Sequence, residues 1–134
     1  MARLSSEIKS VFSKQDVFPV ATASSDGTPN VVPMTFVKIL DDDKLLIVDN
    51  FMNKTKKNID TNPIMAVSIW DMQTGKSYQI KGSTTVVDSG SVFEEAQTWV
   101  KEKMPQLQPK GAVILTIEKI YDCSPFGPTL GQEL

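Results

Sequence analysis

The sequence predicts a small, mainly β domain of the α+β class: a six-stranded antiparallel barrel with a few short helices. Three observations predict it. Apolar, β-type runs are separated by short polar turns or by turns marked with glycine or proline. The first three runs are joined so tightly that only antiparallel pairing is open to them. No strand–helix–strand unit recurs, which argues against a doubly wound parallel sheet. A sheet closed on itself, with a helix plugging one end, leaves the fewest raw edges.

The elements follow in order. Residues 5–15 read as an amphipathic helix, capped by Ser5 or Ser6, with Ile8, Val11 and Phe12 on one face. Residues 17–24 are β-like, and Ser25-Asp26-Gly27 is a hairpin turn. Its partner strand spans residues 30–40; Pro33 inside it cannot donate to a ladder, so that strand is free or bulged on one side. Asp41, Asp42 and Asp43 form the next turn, and residues 44–50 the third strand. A short helix over residues 54–61 is ended by Asn62-Pro63. Strands follow at residues 64–70 and 77–87, with Gly82 as a bulge or barrel corner in the latter. Ser91 and Glu94 read as a capping box for a helix that buries Phe93, Ala96, Trp99 or Val100 and Met104, and that Pro105 stops. Residues 111–121 form the sixth strand. The expectation is one domain over residues 1–134, with residues 122–134 as a tail, ordered or flexible.

Composition removes several classes of chemistry. Hydrophobic residues make up 40% and charged residues 22%, with a net charge of −2 and a pI near 5.1. Nothing in that balance favours nucleic acid or an anionic membrane. There is no histidine, which excludes imidazole acid–base catalysis, Ser-His-Asp triads and histidine-held zinc or haem. Cys123 is the only cysteine, so no intramolecular disulfide forms. Its neighbours offer nothing to activate the thiol. No signal-like segment or apolar run near ~18 residues is present, and a cytoplasmic location is the economical expectation. Redox or group-transfer chemistry in such a chain falls to an organic cofactor.

The stretch KLLIVDNFMNKTKKN, residues 44–58, carries the strongest local signal. An apolar strand runs through a polar turn into a helix start bearing Lys54, Thr55, Lys56 and Lys57. Free amides of a first helical turn, together with cations and a hydroxyl, form a place for a phosphate. A solvated lysine face is the alternative reading, and only the strand-to-helix context speaks against it. Pro33 and Met34 are open to two readings, ligand contact or an edge strand with a core methionine. Trp70 and Trp99 read as packing residues, and the aspartates as turn residues rather than a metal site.

Three stretches together resemble the FMN-binding split-barrel proteins of the pyridoxamine 5′-phosphate oxidase-like superfamily, and within it the small single-domain flavoproteins. They are the hairpin ATASSDGTPNVVPMTF, the turn and helix IVDNFMNKTKKNIDTNP, and the glycine-marked strand SYQIKGSTTVV. The resemblance spans roughly residues 10–121. It implies a split barrel, a homodimer, and FMN held at the dimer interface. It also implies that Val32, Pro33, Met34 and Thr35 run beside the flavin ring. Asp49, Asn50 and Phe51 would flank ring and ribityl chain, and Lys54, Thr55 and the more distant Lys57 would hold the phosphate. The tail does not match the oxidase's terminal signature, and Arg3 is the only arginine, so oxidation of pyridoxamine phosphate is not the expected activity.

The function expected is an FMN-dependent oxidoreductase served by NAD(P)H or a redox partner protein. The alternatives are a non-enzymatic FMN electron carrier or flavin store, a deazaflavin-dependent reductase, and a small barrel that binds no cofactor.

Overall fold

In the computed structural model, which describes residues 2–134, helix α1 (Ser6–Ser13) starts at Ser5, whose hydroxyl accepts the Ile8 N–H at 3.2 Å. Its buried face is Ile8, Val11 and Phe12. Strands β1 (Phe18–Ala23) and β2 (Pro29–Met34) form the first hairpin, with Thr22 facing Asn30. Gly27 supplies the positive φ of 88° that the turn needs. The Asp26 carboxylate accepts from the Ser24 hydroxyl and from the Thr28 N–H and hydroxyl; these bonds hold its pKa down to about 2.

The single strand expected over residues 30–40 is two strands, and the sheet has seven strands rather than six. β2 stops at Met34, Thr35 and Phe36 turn the chain, and β3 (Val37–Asp41) pairs with β4 (Lys44–Asp49). The sheet order is β2-β1-β5-β6-β7-β4-β3, so β2 and β3 lie at opposite edges. Met34 and Val37 are three Cα steps apart, a reach of at most about 11 Å. A flat seven-stranded sheet cannot satisfy that link. The sheet curls into a half-barrel whose two edges approach without pairing. Pro33 explains why one edge stays open. It faces Pro19 across the β1–β2 ladder, and two prolines fit opposite each other only where no N–H···O bond is exchanged.

The remaining strands are β5 (Ile64–Trp70), β6 (Ser77–Val87) and β7 (Gly111–Asp122). β4 buries both faces. Leu45 and Ile47 join α1, β1, β5, β6 and β7 in the barrel interior, while Leu46 and Val48 pack under α3 (Ser91–Lys103) with Ala96, Val100 and Ala112. The capping box expected at Ser91 and Glu94 does not form. Gly90 is the cap residue, its φ of 91° sets the entry angle, and Glu94 N–H bonds the Gly90 carbonyl at 3.0 Å. Trp99 is half-buried edge-on against Phe36, with ring centroids 5.2 Å apart, and Met104 lies past the helix end.

The tail is ordered. It folds back on β7 through a Tyr121–Glu133 bridge and a bond from Leu134 N–H to the Ile120 carbonyl at 2.8 Å. Asp122 accepts the Ser124 N–H at 2.8 Å and the Thr129 hydroxyl, which keeps its carboxyl below the usual range. Among the described residues no helix is long and apolar enough to cross a membrane.

At Gly82 the register shifts against β7, and a Cβ there would stand 1.9 Å from the Thr116 carbonyl oxygen. Gly82→Ala forces these two backbones apart and should cost ~3 kcal/mol in urea unfolding. A loss under ~0.5 kcal/mol, the ordinary surface range, would mean that the close approach does not exist.

Candidate cofactor site

The cavity lies beside the link that joins the two sheet edges. Val32, Pro33, Met34, Thr35 and Phe36 form one wall, along β2 and the link. Val48 and the turn Asn50, Phe51, Met52 and Asn53 form a second. Helix α2 (Lys54–Thr61) contributes Lys54 and Thr55, and Met104 and Leu107 close the side beneath the end of α3. Its volume is about 380 Å³, within the ~300–1,000 Å³ of small-molecule sites. The walls are mostly apolar, and Lys54 is the one titratable side chain among them.

Each polar group of the site has a structural reason for its position. Asp49 is 3% exposed; its carboxylate accepts the Met52 N–H at 2.9 Å, and its carbonyl accepts the Lys110 N–H at 2.8 Å. That bond shapes the turn between β4 and α2, so Asp49 builds the cavity without forming its wall. The neighbouring Asn50 does form wall, and its side-chain Oδ1 is buried with no partner. A buried acceptor without a donor is costly unless a ligand supplies one.

The first turn of α2 is left without a side-chain cap. Asn53 makes no capping bond, no acidic side chain stands in the first turn, and the first helical bond runs from Lys57 N–H to Asn53 O at 3.1 Å. The amides of Lys54, Thr55 and Lys56 precede that bond and point out of the helix. Lys56 is paired with Asp60 at 2.7 Å, one turn along. Lys54 has no carboxylate partner among the described residues. Lys57 is exposed and does not line the cavity.

Beneath this helix lies a buried polar cluster. Asn58 Nδ2 donates to Thr22 Oγ1 at 2.9 Å. Asn30 Nδ2 donates to Thr22 Oγ1 at 3.3 Å and to Thr55 Oγ1 at 3.2 Å. Asn62 Nδ2 reaches the Ala23 carbonyl at 3.3 Å. These bonds seat α2 on the first hairpin.

Of the residues singled out in the sequence, Val32, Pro33, Met34, Thr35, Asn50, Phe51, Lys54 and Thr55 line one cavity, while Asp49 and Lys57 lie outside its wall. Sequence reasoning missed the Thr22, Asn30 and Asn58 cluster. It also missed Leu107, and it placed Met104 in a helix core. The signal for Asn58 was its inward position on α2; the loop after Pro105 carries none. The tail, expected as ordered or flexible, sits at the opposite end of β7 from the cavity. No group of acidic or cysteine side chains suited to a metal occurs among the described residues.

Comparison with known proteins agrees with this architecture. Residues 4–124 match the family described as pyridoxamine 5′-phosphate oxidase. An uncharacterized protein of Methanocaldococcus jannaschii is 40% identical, over 98% of this chain and 88% of that one. The crystal structure of HupZ from Group A Streptococcus superposes with a TM-score of 0.82 at 25% identity, over 95% of this chain and 98% of that chain. An FMN-binding protein from Syntrophomonas wolfei subsp. wolfei shares the fold with a TM-score of 0.76 at 11% identity, covering 87% of this chain and 83% of its own.

Proposed function

The chain belongs to the pyridoxamine 5′-phosphate oxidase family, and on that footing we propose that it binds FMN in this cavity and works as a flavin-dependent oxidoreductase. The observation that carries the reading is the pairing, in one cavity, of an uncapped helix start bearing Lys54 with mostly apolar walls and an orphaned acceptor. The chemistry of FMN asks for these three things. Its phosphate suits the Lys54 amine, the Thr55 hydroxyl and the α2 amides. Its ring suits Pro33, Met34, Phe36 and Leu107. A ring N–H suits Asn50 Oδ1, and the open edge at Val31 and Pro33 adds outward backbone carbonyls.

Bound FMN supplies hydride or electron transfer. The protein holds it, orients it through strand backbone and the Asn50 amide, and keeps water from one side with Phe36, Met104 and Leu107. No wall residue is a carboxylate or thiol, so no acid–base step is assigned to a side chain.

The reading includes a second copy of the chain. Val31, on the open edge, is 66% exposed and Phe51, on the cavity wall, 77%, and a symmetric partner laid there would bury them and complete the cavity. Sedimentation should show a dimer at micromolar concentration. A monomer that binds FMN at full affinity removes the partner from the site.

Titrating the purified chain with FMN and with riboflavin tests the cofactor. Lys54→Ala should weaken FMN binding by ~1.5–3 kcal/mol and leave riboflavin nearly unchanged. Equal loss for both ligands would place Lys54 away from the phosphate. Adding NADH or NADPH anaerobically to the loaded protein then separates an enzyme from a carrier: bleaching of the flavin bands supports the enzyme, and reduction only by a partner protein supports the carrier.

A further inference from the structure

We infer that Asn30 is a positioning residue, which turns the Thr55 hydroxyl into a fixed hydrogen-bond donor aimed at a bound phosphate; this rests on the FMN reading above. The cross-strand pairing of Thr22 with Asn30 places the Asn30 amide under the start of α2. Both hydrogens of its nitrogen are in use, one on Thr22 Oγ1 at 3.3 Å and one on Thr55 Oγ1 at 3.2 Å. A hydroxyl that accepts from an amide directs its own proton elsewhere. Thr55 is 2% exposed and lines the cavity, and its proton has no acceptor among the described residues. The hydroxyl is therefore a buried donor without a partner on the cavity wall, and the bond from Asn30 limits the directions its proton can take.

The arrangement explains an amide at this position. An aspartate at residue 30 would accept from Thr55 and turn the hydroxyl away from the cavity, besides adding a charge of the wrong sign. Thr22 does not depend on Asn30, because Asn58 also donates to it, at the shorter distance of 2.9 Å. Loss of the Asn30 amide thus leaves the seat of α2 on β1 in place and releases only the Thr55 rotor.

The test is a double-mutant cycle on the full chain, read as the ratio of the riboflavin to the FMN dissociation constant. Asn30→Ala should cut that ratio about five-fold, the worth of one ordinary hydrogen bond. In a Thr55→Val background the same substitution should leave the ratio unchanged, an outcome that general loosening of the hairpin would not produce. Asn30→Ser, which lacks the two-donor fork, should behave like Asn30→Ala and carries the test if the alanine variant does not fold. An unchanged ratio in both variants, or an equal cut in the Thr55→Val background, overturns the inference. So does unfolding of both variants, which would make Asn30 structural. A wild-type chain that binds FMN no more tightly than riboflavin removes the phosphate site itself and the inference with it, whereas a Lys54-dependent preference for FMN that ignores Asn30 removes the inference alone.

Discussion

The hydrogen bond from the Asn58 amide to the buried Thr22 hydroxyl fixes α2 against β1, and the shape of the cavity depends on that attachment. Both residues are less than a tenth exposed, so breaking the bond leaves a buried polar group unpaired, at about 1–3 kcal/mol. Asn62 adds a second tie to the Ala23 carbonyl at the far end of the helix. With α2 pinned at two points, its uncapped first turn stays on the cavity wall. A helix of only eight residues has little stability of its own, so the strands beneath it decide where its free amides point.

The second constraint is the unfinished barrel. A two-residue link at Thr35 and Phe36 requires that the outermost strands meet, while Pro33 and the curl of the sheet prevent them from pairing. The cavity lies beside that link, and its walls come from strand edges rather than from loops alone. This accounts for its character: apolar flanks, backbone carbonyls on the open edge, and charge confined to the helix start. A cofactor that brings its own reactivity suits such a site, because the chain contributes binding and shape while the walls hold no carboxylate or thiol and one lysine, Lys54, at the helix start.

Much of this was legible in the residues. The turns at Asp26-Gly27 and Asn62-Pro63, and the strands at residues 64–70 and 77–87, are marked by local chemistry that the tertiary structure does not override. The break between β2 and β3 was not legible, since neither Thr35 nor Phe36 disfavours a strand; curling of the whole sheet imposes it. The cap at Gly90 was misread because Ser91 and Glu94 carry a capping-box pattern one residue inside the helix. At the site, Lys54 and Thr55 were visible because helix starts and cations are sequence features. Asn30 and Thr22 were not, because their bond to Thr55 and Asn58 joins residues 25 and 36 positions apart. Asp49 stood in the same motif, and one oxygen of its carboxylate accepts the Met52 N–H.

The central claim is that the start of α2 holds the phosphate of a flavin nucleotide. Phosphorus NMR of FMN bound to the protein tests it most directly. Lys54 and the helix amides favour the dianion, so the bound resonance should be displaced from that of free FMN. It should also stay constant through the pH range near ~6, where a free phosphate monoester takes up its second proton. A bound flavin whose phosphorus signal keeps the position and the titration of the free nucleotide would contradict the account.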